Sequence, residues 1–354
     1  MSRPIRIGIL GASGYGAGEL LRLLTQHPAA EVVGLTTTSQ VGQPVARAHP
    51  HLRGFYDLRL SETLDLDGLL GGEFGVVISA LPHGASATAL DGLLRAVENH
   101  PRRERLRVID LSGDFRLVDA GLHERHYPQS PLLPERRRGF VYGLPELCRD
   151  RIRAARCVAN PGCLATAAIL AAAPLITADF HGPLAIDAKT GSSGSGRELK
   201  ETTHHPTRHA DFRAYKPLEH QHEPEILQAL GDSHGTRVQV SFVAHSLDVA
   251  RGIFVTVHAT LPALDRLPDP AATYRAFYAG SPFIRLVEES PALQNVVGSN
   301  FCDVAVAVRG RQVVAMAALD NLVKGMAGTA LQNMNLMCGL DEATGLWAPS
   351  FRPV

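Results

Sequence analysis

The sequence is short of several things, and each shortage removes a class of protein. It has no excess of either charge, with 35 Lys and Arg against 35 Asp and Glu. Nucleic-acid and membrane-surface proteins draw on a basic excess, so neither partner is expected and any anion site is local. Cysteine is scarce: five in 354 residues, irregularly spaced and without a C-x-x-C pair. That argues against a disulfide framework and a structural zinc site. No apolar run is long enough to span a bilayer; the longest, at 164–176, is Ala-rich and is expected to break at Pro174. The apolar run near the start is too short for a signal peptide, so a reducing cytoplasm is the expected location. Repeats and low-complexity linkers are also missing. What remains is 45% hydrophobic and 20% charged residues, the balance of a globular chain with a core, at a length that suits two domains.

Hydrophobic periodicity divides the chain. Residues 5–10 form a short apolar run, predicted to be a strand. Residues 19–26 place Leu20, Leu21, Leu23 and Leu24 at helical spacing, and 31–35 read as a second strand. Further strands are predicted at 75–81 and 107–111, with helical stretches between. Strands alternating with helices predict a parallel sheet covered on both faces. After about residue 160 the pattern changes. Residues 238–243 and 253–261 come closer to strict alternation and 311–318 add another strand, which predicts a mixed or antiparallel sheet. A last helix at 328–337 is expected to pack back on the first domain. The fold class is therefore an α/β domain of residues 1–160 plus about 321–354, and an α+β domain of residues 161–320. The arginine-rich stretches 102–107 and 136–138 read as solvated loops.

Several segments carry chemistry. Gly11-Ala12-Ser13-Gly14-Tyr15-Gly16-Ala17-Gly18 lies between the first strand and the first helix. Glycines there let the backbone approach a pyrophosphate at a helix N-terminus, although a plain tight turn has the same composition. The second strand ends in Thr36-Thr37-Thr38-Ser39-Gln40, with no acid to hold a ribose 2′-hydroxyl. That favours NADP over NAD. Asn160-Pro161-Gly162-Cys163 precedes a helical stretch, which places Cys163 at a helix N-terminus where thiols become more acidic. The dipole alone contributes roughly 0.3–1 kcal/mol, so a reactive thiolate needs a further partner. Cys148, Cys157, Cys302 and Cys338 read as small buried hydrophobes. A histidine is the expected partner, and His220 and His222 stand two apart. Alone, that pair fits a metal site, a surface or acid/base work equally; beside an activated cysteine, acid/base work is the better reading. Residues 189–197 form a Gly/Ser loop suited to an anion or to a hinge, and Arg251 precedes a strand.

Together these segments resemble the N-acetyl-γ-glutamyl-phosphate reductase family of arginine biosynthesis, which is related to aspartate-semialdehyde dehydrogenase. The resemblance runs from Gly8 to about Leu346. It rests on the glycine turn with Glu19-Leu20, Ala80-Leu81-Pro82-His83-Gly84 and Asp110-Leu111-Ser112-Gly113-Asp114-Phe115-Arg116. It continues through Tyr142-Gly143-Leu144-Pro145-Glu146, residues 160–163, the His220 segment, Arg251-Gly252-Ile253 and Asp320-Asn321-Leu322-Val323-Lys324-Gly325. It implies a Rossmann-type NADP-binding domain and a catalytic and oligomerisation domain of semialdehyde-dehydrogenase type. It implies that Cys163 attacks an acyl phosphate to form a thioester, and that His220 is the acid/base. The implied cofactor contacts are Gly11, Ser13, Gly14, Tyr15, Gly16, Thr38, Ser39, Gln40, Pro82, Ser193, Gly194 and Asn321. Arg116, Asn160 and Arg251 are substrate candidates, and no metal is implied. A homo-oligomer, dimer or tetramer, is implied through the second domain's sheet.

The chain departs from the family pattern at Ala17-Gly18, Gln40, Leu164 and Thr329. Leu247-Asp248-Val249-Ala250 and His204-His205-Pro206 look more like the branch whose substrate is tethered to an acidic amino-group carrier protein. Residues 142–145 and 298–303 look like the arginine branch, so N-acetylglutamyl phosphate is the expected substrate and a carrier-linked aminoadipyl or glutamyl phosphate the alternative. Two other classes remain as rivals. One is a non-catalytic nucleotide-binding regulator, which has no need of both Cys163 and His220. The other is a zinc hydrolase built on the histidines.

Overall fold

The computed structural model describes residues 4–176, 182–234, 238–261 and 269–353. The chain divides into two compact units, Met1–Pro161 with Met326–Trp347, and Gly162–Gly325 with Ala348–Val354.

The first unit holds strands β1 (Ile5–Leu10), β2 (Ala30–Thr36), β3 (Gly75–Ser79), β4 (Leu106–Asp110), β5 (Phe140–Tyr142) and β6 (Cys157–Ala159). They lie in the order β2-β1-β3-β4-β6-β5, and every neighbouring pair is parallel. All five residues of β3 are buried, as a strand covered on both faces requires. Helix Tyr15–Leu24 follows β1 and helix Ala85–Ala96 follows β3. Because β2 lies on one side of β1 and β3 on the other, the winding reverses at β1. Open α/β sheets take ligands beyond the carboxyl ends of the strands at such a reversal. Helix Gly328–Met337 belongs to this unit and is buried along its whole length. Its polar side chains find partners inside the unit: Asn333 Nδ2 donates to Gly143 O at 2.8 Å and to Asn160 Oδ1 at 3.0 Å, and Gln332 Nε2 to Glu342 Oε2 at 3.2 Å.

The second unit is built on β7 (Pro183–Thr190), β8 (Arg213–Tyr215), β9 (Gln239–Ser246), β10 (Ile253–Thr260), β11 (Ile284–Leu286), β12 (Cys302–Arg309) and β13 (Gln312–Leu319). Their order is β11-β12-β13-β10-β7-β9-β8. The pairs β7/β9 and β11/β12 are parallel and the rest antiparallel, so the sheet is mixed, as expected. In β10, Ile253, Val255, Val257 and Ala259 are buried, while the residues between them are more open. That alternation belongs to a sheet with one covered face. Helix Cys163–Ile176 supplies the cover, packing on β10 and β13. It is apolar all round and buried from Leu164 onward, the pattern of a core helix.

Four expectations need correction. The helix Cys163–Ile176 runs through Pro174 without a break. Proline has no N–H for the Leu170 carbonyl one turn back, but the Tyr278 hydroxyl donates to that carbonyl instead. The arginine stretches are not simply solvated loops. Arg137 is buried and donates to Asp114 O at 2.8 Å, Leu117 O at 3.1 Å and Leu132 O at 2.8 Å, and Arg107 lies within β4. Cys157 and Cys302 are buried, but Cys148 and Cys338 are only half-buried. Both of the latter fall at helix irregularities, Cys148 at a kink and Cys338 at a C-terminal cap. Finally, residues 348–354 belong to the second unit. Phe351 N–H donates to Val297 O at 2.9 Å, and the Phe351 ring lies where a side chain on Gly298 would otherwise stand.

Candidate active site

In the first unit, β1 runs into Gly11, whose φ of +78° lies in the left-handed region. A Cβ on Gly11 would come within 2.9 Å of Ala80 O, so only glycine fits both the angle and the contact. Ala12 N–H donates to Thr36 O and Ala80 N–H to Leu10 O, each at 2.8 Å, which ties the turn to the ends of β2 and β3. Gly14 is the N-cap of helix Tyr15–Leu24; no side chain caps it and no acid stands in the first turn. A Cβ on Gly14 would meet nothing nearer than Gly11 O at 3.9 Å, so the backbone is open to a close ligand. Uncapped first-turn N–H groups with a partial positive charge suit a pyrophosphate. Gly18 packs against the ring of His49, whose Nε2 hydrogen-bonds Ala12 O at 2.7 Å.

The end of β2 is hydroxyl-lined. Thr37 Oγ1 accepts the Ser39 N–H at 3.3 Å; Thr38 and Ser39 are exposed and Gln40 is half-buried. Ser13 and Gly16 are half-buried beside the open turn, with Tyr15 exposed. Pro82 is exposed in the turn after β3. The buried Asp114 carboxylate fixes that turn, accepting Gly84 N–H at 2.9 Å and Ala87 N–H at 2.8 Å. Beneath it, burial pushes the Asp110 carboxyl up to about 6, although Ser86 and Ser112 hydroxyls donate to it at 2.6 and 2.7 Å. These residues fit a dinucleotide: a cradle that a side chain would fill, and a second strand whose end lacks a carboxylate.

In the second unit, Cys163 is half-buried and is the first residue of helix Cys163–Ile176. The residue before it is held from outside the helix: Glu225, fully buried, accepts the Gly162 N–H on Oε1 at 2.6 Å. A Cβ on Gly162 would fall within 2.3 Å of the His222 ring, and a Cβ on Gly325 within 2.8 Å of Cys163 Cβ. Both positions therefore need glycine for the cysteine to sit where it does. His220 is buried at the edge of Tyr215, with ring centroids 5.5 Å apart, and lies 5.4 Å from Phe242. Its Nδ1 accepts the His222 N–H at 3.1 Å. An accepting Nδ1 leaves the proton of the neutral ring on Nε2. Burial pushes the Tyr215 hydroxyl up, and the charge of Cys163 adds to that shift. His222 links the neighbourhoods of the two expected catalytic residues: its ring packs against Gly162, the residue before Cys163, and its centroid lies 4.7 Å from that of His220.

A second cluster in this unit gathers three expected residues. Asn321 Oδ1 accepts the Gly252 N–H at 2.8 Å and its Nδ2 donates to Ser193 Oγ at 2.9 Å. Arg251 Nη1 donates to Asp320 Oδ2 at 3.1 Å. Asp320, fully buried, also accepts N–H groups from Gly298 at 2.7 Å, Leu322 at 2.8 Å and Val323 at 3.1 Å. Gly194 is exposed next to Ser193.

Arg116 and Asn160 sit in the first unit and turn inward. Arg116 Nε donates to Asn160 O and its Nη2 to Leu111 O, both at 2.7 Å. Asn160 is fully buried and donates to Met326 O at 3.1 Å. Both brace the turns around them. Among the described residues no three His, Cys, Asp or Glu side chains come together as a metal site. Sequence reasoning missed Glu225, Asp320, Tyr215 and His49. Two stood beside residues that sequence reasoning did single out: Asp320 next to Asn321, and Glu225 on the helix His222–His234 that follows His220.

A family model described as semialdehyde dehydrogenase, NAD binding domain, matches residues 6–155, and one described as semialdehyde dehydrogenase, dimerisation domain, matches residues 163–321. The chain is 44% identical over 350 residues to an N-acetyl-γ-glutamyl-phosphate reductase of Symbiobacterium thermophilum, covering 97% of each. It is 40% identical over 369 residues to a putative [LysW]-L-2-aminoadipate/[LysW]-L-glutamate phosphate reductase of Aeropyrum pernix, covering 100% of each. Among solved structures, aspartate semialdehyde dehydrogenase II from Vibrio cholerae has a TM-score of 0.68 at 15% identity, covering 95% of this chain and 98% of that one. That last likeness speaks for the fold alone.

Proposed function

The chain belongs to the N-acetyl-γ-glutamyl-phosphate reductase family, and on that premise we propose that it reduces N-acetyl-γ-glutamyl phosphate to N-acetylglutamate 5-semialdehyde and phosphate through a thioester on Cys163. The observation that carries the reading is the setting of Cys163: first residue of a buried helix, its turn fixed by Glu225, with the His222 ring against Gly162 and 4.7 Å from the ring of His220.

The Cys163 thiolate attacks the acyl carbon; the S–C bond forms and the C–O bond to phosphate breaks. The glycine turn at 11–16 would hold NADPH, which when bound would supply the hydride for the thioester carbonyl. The resulting thiohemiacetal collapses to the aldehyde and returns the thiolate. His220, carrying the proton of its neutral ring on Nε2, suits a hydrogen bond to the developing oxyanion, and that oxyanion expels the thiolate with no net proton transfer. Arg251, steadied by Asp320, supplies a fixed positive charge suited to a substrate carboxylate. Asn321 and Ser193 hold the loops around it, and Gly194 leaves the backbone exposed. The glycine turn at 11–16 and the hydroxyls at 37–39 suit NADP, since no carboxylate repels a 2′-phosphate. Like copies assemble through the second unit, the part matched by the dimerisation-domain model.

A second reading is favoured by the Aeropyrum relative: the same chemistry on a substrate carried by an acidic protein. Exposed Lys200, Arg213 and Lys216 in the second unit suit that partner. The test is the reverse reaction, NADP reduction with phosphate and N-acetylglutamate semialdehyde, with NAD in parallel. Phosphate-dependent turnover with NADP supports the first reading. No turnover, with NADPH still bound and Cys163 still alkylated, moves the substrate to the carrier-linked form.

A further inference from the structure

The first unit contains a cavity that the dinucleotide cradle does not use. Its volume is about 410 Å³. The floor is apolar, made by Leu94, Val97, Phe140 and Cys157 among others, and is continuous with the core around β4. The mouth carries Arg103, Arg136 and Arg156, with Glu98 and Glu135 beside them. Leu106, Phe140 and Cys157 are the first residues of β4, β5 and β6. The cavity therefore lies at the amino ends of these strands. The glycine turn lies at the carboxyl end of β1, and all these strands are parallel.

The guanidiniums are braced yet not used up. Arg136 bonds Asp91 through Nε at 2.7 Å, and among the described residues neither of its Nη groups has a partner. Arg156 gives Nη2 to Arg103 O at 2.8 Å and Nη1 to Glu104, leaving Nε. Arg103 gives Nη1 to Glu98 O at 2.8 Å and Nε to Glu104 at 3.2 Å, leaving Nη2. Glu135 is engaged by Arg138 at 2.8 Å. Held guanidinium edges over an apolar floor recognise one kind of molecule, an anionic head on an apolar body. Burial pushes the Cys157 thiol up to about 11 in spite of Arg156, Arg136 and Arg107, so the floor is dry enough to favour an apolar occupant.

We propose that this cavity is a second, non-catalytic binding site for a small amphipathic anion, whose apolar body lies over Phe140 and Cys157 and whose charge meets Arg103, Arg136 and Arg156. The probe is octanoate, with 1-octanol and acetate as controls for its two halves. Cys157 alkylation by N-ethylmaleimide at mildly alkaline pH, followed in the full chain by peptide-resolved mass spectrometry, is the readout. Octanoate at ten times its dissociation constant is expected to slow Cys157 labelling about tenfold and to leave Cys163 labelling unchanged. The controls are expected to do much less, and Arg136→Glu with Arg156→Glu to abolish the protection. Equal protection by octanol, protection that survives the double charge reversal, or none at saturating octanoate overturns the proposal. If Cys157 resists the reagent without ligand, the methyl signals of Leu94 and Val97 decide: shifts with octanoate are expected, and their absence overturns it.

Discussion

Glu225 Oε1 accepts the backbone N–H of Gly162 at 2.6 Å, so a buried carboxylate on one helix fixes the turn that begins another. The proposed nucleophile is the next residue. Removing the acceptor in Glu225→Ala leaves a buried N–H without a partner, which costs about 1–3 kcal/mol. Glu225→Ala is expected to lose that stability in urea unfolding and to lose turnover with it. Glu225→Gln keeps an acceptor oxygen and should recover most of both. A glutamine variant as damaged as the alanine one contradicts the assignment.

Tyr278 and Pro174 make a thermodynamic pair. Tyr278→Phe strands the Leu170 carbonyl that proline cannot satisfy and is expected to cost about 1–3 kcal/mol. In a Pro174→Ala background the helix regains its own N–H donor, and the same change should cost far less. A double-mutant cycle with no coupling would show that the tyrosine does not replace the missing bond.

How much of this was legible in sequence follows from what leaves a periodic trace. Strands β1, β3, β4, β10 and β13 and helix Gly328–Met337 were readable because apolar spacing reports directly on burial. The glycine turn and Cys163 were readable because strand, turn and helix occur in order around them. Pro174 was misread because its rescue comes from a residue far away in sequence. Arg137 was misread because three arginines in a row look solvated, and only the fold brings Asp114, Leu117 and Leu132 carbonyls to the middle one. The bracing roles of Asp320 and Glu225 were not legible, since a single carboxylate has no period and its backbone partners are set only by the fold.

Acid stability should carry two opposing contributions from the first unit. Burial, assisted by Arg137, pushes buried His123 down to about 4 from 6.5. Between those values the unfolded chain binds a proton that the folded chain refuses. This contribution is therefore intact above about pH 6.5 and is lost as pH falls toward 4. Asp110 has the opposite sign: its folded value is about 6 against 3.8, so the folded chain binds its proton first and gains stability as pH falls through 6. His123→Gln removes the first contribution and leaves the second. Its Tm should fall less than that of the parent between about pH 7 and pH 5. Parallel Tm–pH curves contradict this.

Cofactor choice should respond to one charge at the end of β2. Ser39 is exposed beside the hydroxyls of Thr37 and Thr38. Ser39→Asp places a carboxylate where a 2′-phosphate would lie and is expected to weaken NADPH binding by at least about tenfold, or ~1.4 kcal/mol, while sparing NADH. Unchanged preference, measured as the ratio of kcat/KM for the two cofactors, places the 2′-phosphate elsewhere.

The proposed reaction turns on a covalent bond to Cys163, and that bond can be trapped. The protein is mixed with N-acetyl-γ-glutamyl phosphate without NADPH, phosphate release is followed, and the chain is then digested for mass spectrometry. A burst of phosphate of about one equivalent per site and an N-acetylglutamyl adduct on Cys163 are expected, with loss of both in Cys163→Ala. No adduct, an adduct on another cysteine, or a burst that survives Cys163→Ala contradicts the proposed reaction.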